Sequence, residues 1–160
     1  MMKDILRILE DDARSTNKQI SAMTGLPSSE VSRNIKQAEK DRIILKYKTI
    51  INWDRVEDEH VLALIEVKLT PQKDVGFDSI AERIYRFPQT RTVYLVSGSY
   101  DLFALIEGRS NHEIADFVAQ KLSHIEGVQG TVTQFVLKRY KEDGEVIDGK
   151  GEIKRQPVIF

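Results

Sequence analysis

The chain has 160 residues, of which 41% are hydrophobic and 31% are charged, and it carries a formal net charge of −1 and no cysteine. This length accommodates one large domain or two small ones, and the absence of cysteine excludes a disulfide framework and a thiolate metal site. No apolar run approaches the ~18 residues that a membrane helix needs, and an amphipathic pattern begins directly after Met1 with no signal peptide. We therefore expect a cytoplasmic protein without a membrane partner.

Residues 1–56 are predicted to form a first domain that begins with three short helices. The first helix is expected over residues 4–10, where apolar residues recur at helical spacing. Ser15 or Thr16 can cap the second helix by accepting a hydrogen bond from a free backbone N–H. Gly25 suits the left-handed conformation that closes a helix, so the second helix is predicted to end there.

The third helix is predicted to begin at Pro27, with Ser28 as its cap, directly after a tight turn at residues 24–26. Two short amphipathic helices joined by such a turn indicate a helix-turn-helix, whose second helix enters the major groove of DNA. An ordinary three-helix packing unit is the alternative. The residues expected to contact DNA are Ser28, Ser29, Ser32, Arg33, Asn34 and Lys36 on the third helix, and Lys46 and Lys48 after it.

Each of these side chains has a chemical use on DNA. Arg33 can bind a guanine edge or a phosphate, while Asn34 can either read adenine or have a structural role. A DNA phosphate could bind at the helix N-terminus, where Ser28 and Ser29 lie. Lys36 is expected to contact the DNA backbone and set the register of the protein on the duplex. Residues 27–50 contain six basic and three acidic side chains, which gives this segment the positive charge that a phosphate-facing surface needs.

Residues 43–51 are rich in β-forming side chains and are predicted to be a strand or a small wing. This strand would carry Lys46 and Lys48 toward the DNA backbone. Trp53 lies in the linker that follows, and we expect it to pack between the domains or in a dimer.

Residues 57–140 predict a second domain with the element order β-α-β-β-α-β. Strands are expected at residues 60–69, 90–96, 102–107 and 128–137, and helices at residues 77–86 and from Ser110 to about His124. This is the ferredoxin-like order, in which two helices cover one face of an antiparallel sheet. The predicted fold is therefore α+β: an N-terminal winged helix-turn-helix followed by a ferredoxin-like domain.

The other face of that sheet would be left without helices. Strands as apolar as LALIEV and LFALI would expose apolar side chains there, and a bare apolar face of this size is a binding surface. We expect it to pair with a second copy in an isologous homodimer. Two recognition helices could then reach adjacent major grooves of double-stranded DNA. A module that binds protein through this face alone is an alternative.

Residues 141–160 are a polar C-terminal tail with glycines at positions 144, 149 and 151. Asp143 and Gly144 are a turn signal, and residues 146–147 and 158–160 are apolar enough to dock as short strands. The tail could be mobile or act as an arm on a neighbouring subunit, and we expect partial order.

The sequence offers little for an enzyme. His60, His112 and His124 lie far apart and lack metal-ligand spacing. Ser97 and Ser99 lack the glycine-flanked elbow of a nucleophilic serine, and no phosphate-binding glycine loop is present. We expect no catalytic residue, no metal and no cofactor.

Four stretches of this chain resemble the Lrp/AsnC (feast/famine) family of transcription regulators. They are ILRILEDDARSTNKQIS, TGLPSSEVSRNIKQAEKDRII, VSGSYDLFALIEG and GVQGTVTQFVLKRYK. The resemblance covers the chain up to about Lys141. It implies a helix-turn-helix joined to a ferredoxin-like RAM domain that binds effectors, and homodimers that assemble into octamers or other higher oligomers. It also implies small effectors, often amino acids, between dimers.

The resemblance places an effector site around the turn that precedes the third strand of the sheet. The residues concerned are Gly98, Ser99, Tyr100, Asp101, Thr131 and Thr133, although the family usually has an acidic or amide residue where Ser99 stands. Asp101 could pair with an α-ammonium group, while turn N–H groups and a threonine hydroxyl could bind a carboxylate. Alternatively, Asp101 caps a hairpin turn and binds nothing.

Two further points follow from the resemblance. The family commonly has glycine after the recognition helix, where this chain has Arg42, so the helix is expected to end differently. The sirohaem decarboxylases share this architecture, but Arg86 and Arg91 are the nearest candidates for a basic cleft, and no histidine accompanies them. We predict a sequence-specific DNA-binding regulator modulated by a small effector, and the resemblance favours an amino acid as that effector. The alternatives are an enzyme of the same architecture and an effector-independent DNA-binding protein.

Overall fold

The computed structural model describes residues 1–56, 60–70 and 76–147. The chain folds into two compact units, Met1–Ile51 and Asn52–Phe160. Within the described ranges, no helix is long and apolar enough to cross a membrane.

The first unit contains three helices, α1 (Met2–Asp11), α2 (Asn17–Thr24) and α3 (Ser28–Lys40). Thr16 caps α2 through a capping box, since its hydroxyl accepts from the Gln19 N–H while the Gln19 side chain accepts from the Thr16 N–H. Gly25 closes α2 in the left-handed conformation, with φ of 73°. Each helix contributes buried apolar side chains to the core of this unit: Ile5 and Leu9 from α1, Ile20 from α2 and Val31 from α3.

Two details of α3 differ from the sequence prediction. Ser28 is not the cap but the first residue of the helix, because Pro27 occupies the capping position and its carbonyl accepts from the N–H groups of Glu30 and Val31. Beyond the helix, Arg42 does take the left-handed conformation that glycine favours, with φ of 57°. Its N–H bonds the carbonyl of Glu39 and the next N–H bonds that of Ala38, which is a Schellman motif.

The strand predicted over residues 43–51 is wrong for the described chain, because these residues contain no strand. A strand requires a neighbour to complete its hydrogen bonds, and β-forming side chains alone do not supply one. The segment leaves Leu45 75% exposed and Tyr47 43% exposed.

The second unit contains a four-stranded antiparallel sheet with two helices, as predicted. Its elements are β1 (Val61–Leu69), α4 (Phe77–Tyr85), β2 (Thr90–Leu95), β3 (Leu102–Gly108), α5 (Asn111–Gln120) and β4 (Val128–Phe135). The strand order β2-β3-β1-β4 and the antiparallel pairing are those of a ferredoxin-like sheet. The predicted long second helix stops at Gln120, and a separate 3-10 turn follows at Leu122–His124.

Alternation along the strands separates the two faces of the sheet. Alternate residues of β1, from Ala63 to Leu69, are buried with Ile80 and Ile84 of α4 and Ile114 and Phe117 of α5. The intervening positions lie on what we call the open face, which comprises Leu64, Glu66, Tyr94, Phe103, Leu105, Val132 and Gln134. Tyr94 is 61% exposed on that face, as expected for a face that the helices do not cover.

A short hairpin follows, formed by β5 (Lys141–Glu142) and β6 (Glu145–Val146). Asp143 and Gly144 make its turn with φ of 46° and 88°, so the turn signal at these residues is confirmed. Ile147 is buried, and its carbonyl accepts a hydrogen bond from the Asn52 side chain at 3.0 Å. The rest of the tail prediction, including residues 158–160, lies outside the described residues.

Candidate DNA-binding and effector sites

The outward face of α3 carries a shallow groove of about 360 Å³. It is lined by Ser29, Ser32, Arg33, Lys36, Gln37 and Lys40. Four of these residues were predicted to contact DNA, and the structure brings them together on one face. The sequence analysis missed Gln37 and Lys40, although each lies four residues after a predicted contact and so shares its helix face.

The charge of this groove is uncompensated. Arg33, Lys36 and Lys40 form no ion pair with any other described residue, and all three are exposed. The amide of Gln37 instead donates to both carboxylate oxygens of Asp41 at 2.8 Å, which holds that acid beyond the end of the helix. Three free cations within two turns of one helix suit a phosphate-rich partner.

Asn34 and Ser28 lie outside this groove. The Asn34 amide donates to the Glu30 carbonyl of its own helix at 3.0 Å and is partly buried, which favours the structural alternative for this residue. Ser28 is exposed at the start of α3, where the first N–H groups of the helix have no intrahelical partner. An anion could bind these groups, since the helix dipole also favours negative charge there.

The segment that carries Lys46 and Lys48 is attached to α3. The hydroxyl of Tyr47 donates to a Glu39 carboxylate oxygen at 2.8 Å. Burial of the hydroxyl is the main cause that raises the pKa of Tyr47 above its ordinary value, and the Glu39 carboxylate is the second. Both lysines are exposed. This bond keeps the segment beside the C-terminal half of α3, so the lysines lie on the unit that presents the cationic groove.

In the second unit, the turn between β2 and β3 borders a cavity of about 310 Å³, which we call the turn cavity. Its lining residues are Glu66, Val96, Ser97, Gly98, Ser99, Tyr100 and Phe103. Gly98 has a φ of 138°, a conformation that side chains rarely allow. The predicted residues Gly98, Ser99 and Tyr100 therefore lie together.

The carboxylate of Asp101 already has partners within the protein, whereas a carboxylate that anchors a ligand must have an oxygen available to it. One oxygen of its carboxylate accepts from the Leu69 N–H at 2.8 Å and lies 3.2 Å from the Lys68 ammonium. Its backbone N–H donates to the Val67 carbonyl, and its carbonyl accepts from Val96. The Leu69 hydrogen bond, with the help of Lys68, holds the pKa of Asp101 below its ordinary value. These contacts favour a structural role for Asp101, but its side chain binds β1 and does not cap the hairpin turn as the alternative had it.

Thr131 and Thr133 do not reach the turn cavity. They lie opposite Val67 and Ile65 in the β1–β4 pairing, and both of those residues point to the helix-covered face. The cavity residues Glu66 and Phe103 lie on the open face. Because β1 separates β4 from β3, about 10 Å of sheet also lies between the threonines and β3.

Two of the three histidines each lie beside a carboxylate. His60 lies 2.9 Å from Glu107, and His112 lies 3.3 Å from Asp116, at separate places in the second unit. The described residues contain no group of three or more potential metal ligands. Arg91 and His60 both lie against the carboxylate of Glu107 and line one cavity of about 490 Å³, so the expectation that no histidine accompanies Arg91 is wrong.

Comparison with known families matches both units. The family described as Lrp/AsnC ligand binding domain matches residues 62–146, and the family described as winged helix-turn-helix DNA-binding matches residues 2–44. The chain belongs to the Lrp/AsnC family. Its members are transcription regulators, and the predicted family, fold class and helix-turn-helix are confirmed.

Individual relatives agree with this assignment. The chain is 44% identical to the HTH-type transcriptional regulator YugG of Bacillus subtilis, over 95% of this chain and 92% of the relative. It is 31% identical to the HTH-type transcriptional regulator FL11 of Pyrococcus furiosus, over 90% and 92% of the two chains. Among solved structures, a transcriptional regulator of Neisseria meningitidis in complex with L-methionine is 26% identical, with a TM-score of 0.71 over 88% of this chain and 90% of that one.

Proposed function

We propose that this Lrp/AsnC regulator binds specific DNA sequences through α3, in the cytoplasm, and that a small effector modulates its DNA affinity or its assembly. The observation that carries the DNA assignment is the groove on α3, in which Arg33, Lys36 and Lys40 have no anionic partner among the described residues. An arginine in this position can bond a guanine edge with two donors, and the lysines can hold phosphates.

Self-association through the open face supports specific binding. Leu64, Leu105 and Val132 place apolar side chains on a face that the helices leave uncovered. A second copy seated there would bury these side chains and repeat the recognition helix by two-fold symmetry. A homodimer can then read two half-sites about one DNA turn apart. Assembly of such dimers into octamers or other higher species is part of the proposal.

An amino acid is the effector that one solved neighbour favours. The regulator from Neisseria meningitidis was solved with L-methionine, and the turn cavity of this chain is of a size that suits a molecule of that kind. An effector acts by binding one assembly or DNA-bound state more tightly than another. The effector would therefore change the population of the DNA-binding form without chemistry, and we propose no enzymatic activity.

The test of the DNA interface is Arg33→Ala on a duplex whose site has been selected from a random pool. Loss of a two-donor base contact should weaken binding by about 1–3 kcal/mol, roughly five- to 150-fold, and relax preference at one base position. Arg83→Ala is the matched control, because it removes an exposed arginine from α4. Affinity of Arg33→Ala within a factor of two of the wild type would contradict the recognition assignment.

Light scattering of the full chain tests the assembly. We expect the mass of a dimer or of a larger species, and a Leu105→Glu variant should shift toward monomer because a charge would lie in the paired faces. A monomeric wild-type protein would contradict the open-face dimer and leave the DNA assignment to the Arg33 experiment.

A further inference from the structure

Glu66 is the one residue lining the turn cavity whose side chain is charged at neutral pH. It sits on the central strand β1, opposite Phe103 of β3 and Val132 of β4, and so projects from the open face. The remaining walls are apolar or uncharged, with Val96 and Phe103 on one side and the serine-glycine turn on the other. The cavity therefore combines a single negative charge with an apolar wall.

Glu66 has no cationic partner among the described residues. Its carboxylate accepts one long hydrogen bond, 3.4 Å from the amide of Gln134. The nearby Asp101 does not line this cavity, and one oxygen of its carboxylate is held by the Leu69 N–H and by Lys68. Of these two acids, Glu66 is the one that lines the cavity and has no cationic partner among the described residues.

We propose that Glu66 binds the ammonium group of the effector, and that Asp101 is a positioning residue that holds the turn against β1. This rests on the proposed effector function of the same domain. An ammonium group bonded to a carboxylate is a charge-assisted pair, stronger than a neutral hydrogen bond. The apolar body of the ligand would lie on Phe103 and Val96, while the hydroxyls and N–H groups of the turn are donors for a ligand carboxylate.

The location of Glu66 strengthens the assignment. Glu66 is half-buried beside apolar walls, and an unpaired charge that is shielded from water is costly. An ammonium ligand supplies the missing counter-charge. The class of ligand is therefore a primary amine with a small apolar body, such as an apolar α-amino acid, rather than a simple carboxylic acid.

The experiment begins with the full wild-type chain and the twenty L-amino acids, added singly at millimolar concentration and followed by thermal shift and calorimetry. The strongest apolar binder is then compared with its analogue lacking the amino group. Wild type should bind the amino acid at least about tenfold more tightly than this analogue, because the analogue leaves the Glu66 carboxylate unpaired.

Glu66→Gln should lose most of that preference and weaken amino-acid binding by about tenfold or more. Glu126→Gln, an exposed glutamate of the same unit, is the matched control and should bind within twofold of wild type. Unchanged affinity and unchanged preference in Glu66→Gln would overturn the role of Glu66 while leaving an effector site in place. No binding of any amino acid to the wild type would overturn the effector function itself and this proposal with it.

Discussion

Substitutions of Arg42 test how the recognition helix α3 ends. It closes α3 in the left-handed conformation, with φ of 57°, inside a Schellman motif whose hydrogen bonds come from its own N–H and from that of Ile43. This conformation costs an ordinary L residue about 1–2 kcal/mol, because its Cβ approaches the backbone carbonyl. Glycine avoids that cost but loses about 0.4–1 kcal/mol through the greater freedom of the unfolded chain.

The comparison that isolates this effect is Arg42→Gly against Arg42→Ala. Both variants remove the same side-chain charge, so any interaction of the arginine with the helix dipole cancels between them. We expect the glycine variant to be more stable by roughly 0.5–1 kcal/mol, the difference of the two costs above. In a helix interior the order would be the reverse, since alanine is the better helix former.

Urea unfolding followed by far-UV circular dichroism measures this difference through the helical signal of the first unit. The midpoint should be higher for Arg42→Gly than for Arg42→Ala with an unchanged slope. An alanine variant as stable as the glycine variant would refute the left-handed closure of α3.

Three further predictions concern caps, charge and packing. Thr16→Ala should destabilise the first unit by about 1 kcal/mol, whereas Thr16→Ser keeps the capping hydroxyl and should retain the wild-type stability. Equal unfolding midpoints for Thr16→Ala and the wild type would contradict the capping box. Because the pKa of Asp101 is lowered in the folded state, its contribution should be complete above about pH 4, the ordinary range for aspartate, and be lost as pH falls through the folded pKa. The difference in melting temperature between wild type and Asp101→Asn should therefore shrink in acid, and a constant difference would argue against these contacts. Gly127→Ala should destabilise by more than about 1 kcal/mol, since φ is 94° and the new Cβ would lie 2.6 Å from the Ile80 side chain. Gly130→Ala meets no atom within 4 Å and should be milder in the same unfolding assay; equal effects would contradict the packing.

Local sequence signals were sufficient for much of the fold. Thr16 and Gly25 mark the ends of α2 because capping and left-handed closure depend on residues a few positions apart. The order of strands and helices in the second unit followed from hydrophobic periodicity, and the sheet order is the one that this element order implies. The strand prediction for residues 43–51 was wrong because β-forming side chains do not reveal whether a neighbouring strand exists.

The candidate sites were predicted less completely, because they depend on contacts that are distant in sequence. The acceptor role of Asp101 depends on the Leu69 N–H, which lies 32 residues earlier in the chain. Thr131 and Thr133 were placed with the turn by resemblance, whereas the strand register puts them on the opposite face from Glu66. A one-residue difference in register reverses the face of every side chain, and sequence alone does not specify that register.

Selection of DNA from a random pool by the full chain tests the central claim most directly. If the chain is a dimeric regulator that reads sequence with α3, the enriched sites should be two-fold symmetric, with half-sites separated by one helical turn of about 10–10.5 base pairs or a multiple of it. Wild type should prefer these sites over random DNA by at least about 10³-fold at physiological salt. A pool that shows no enriched sequence, bound through charge alone with equal affinity for all DNA, would contradict the account.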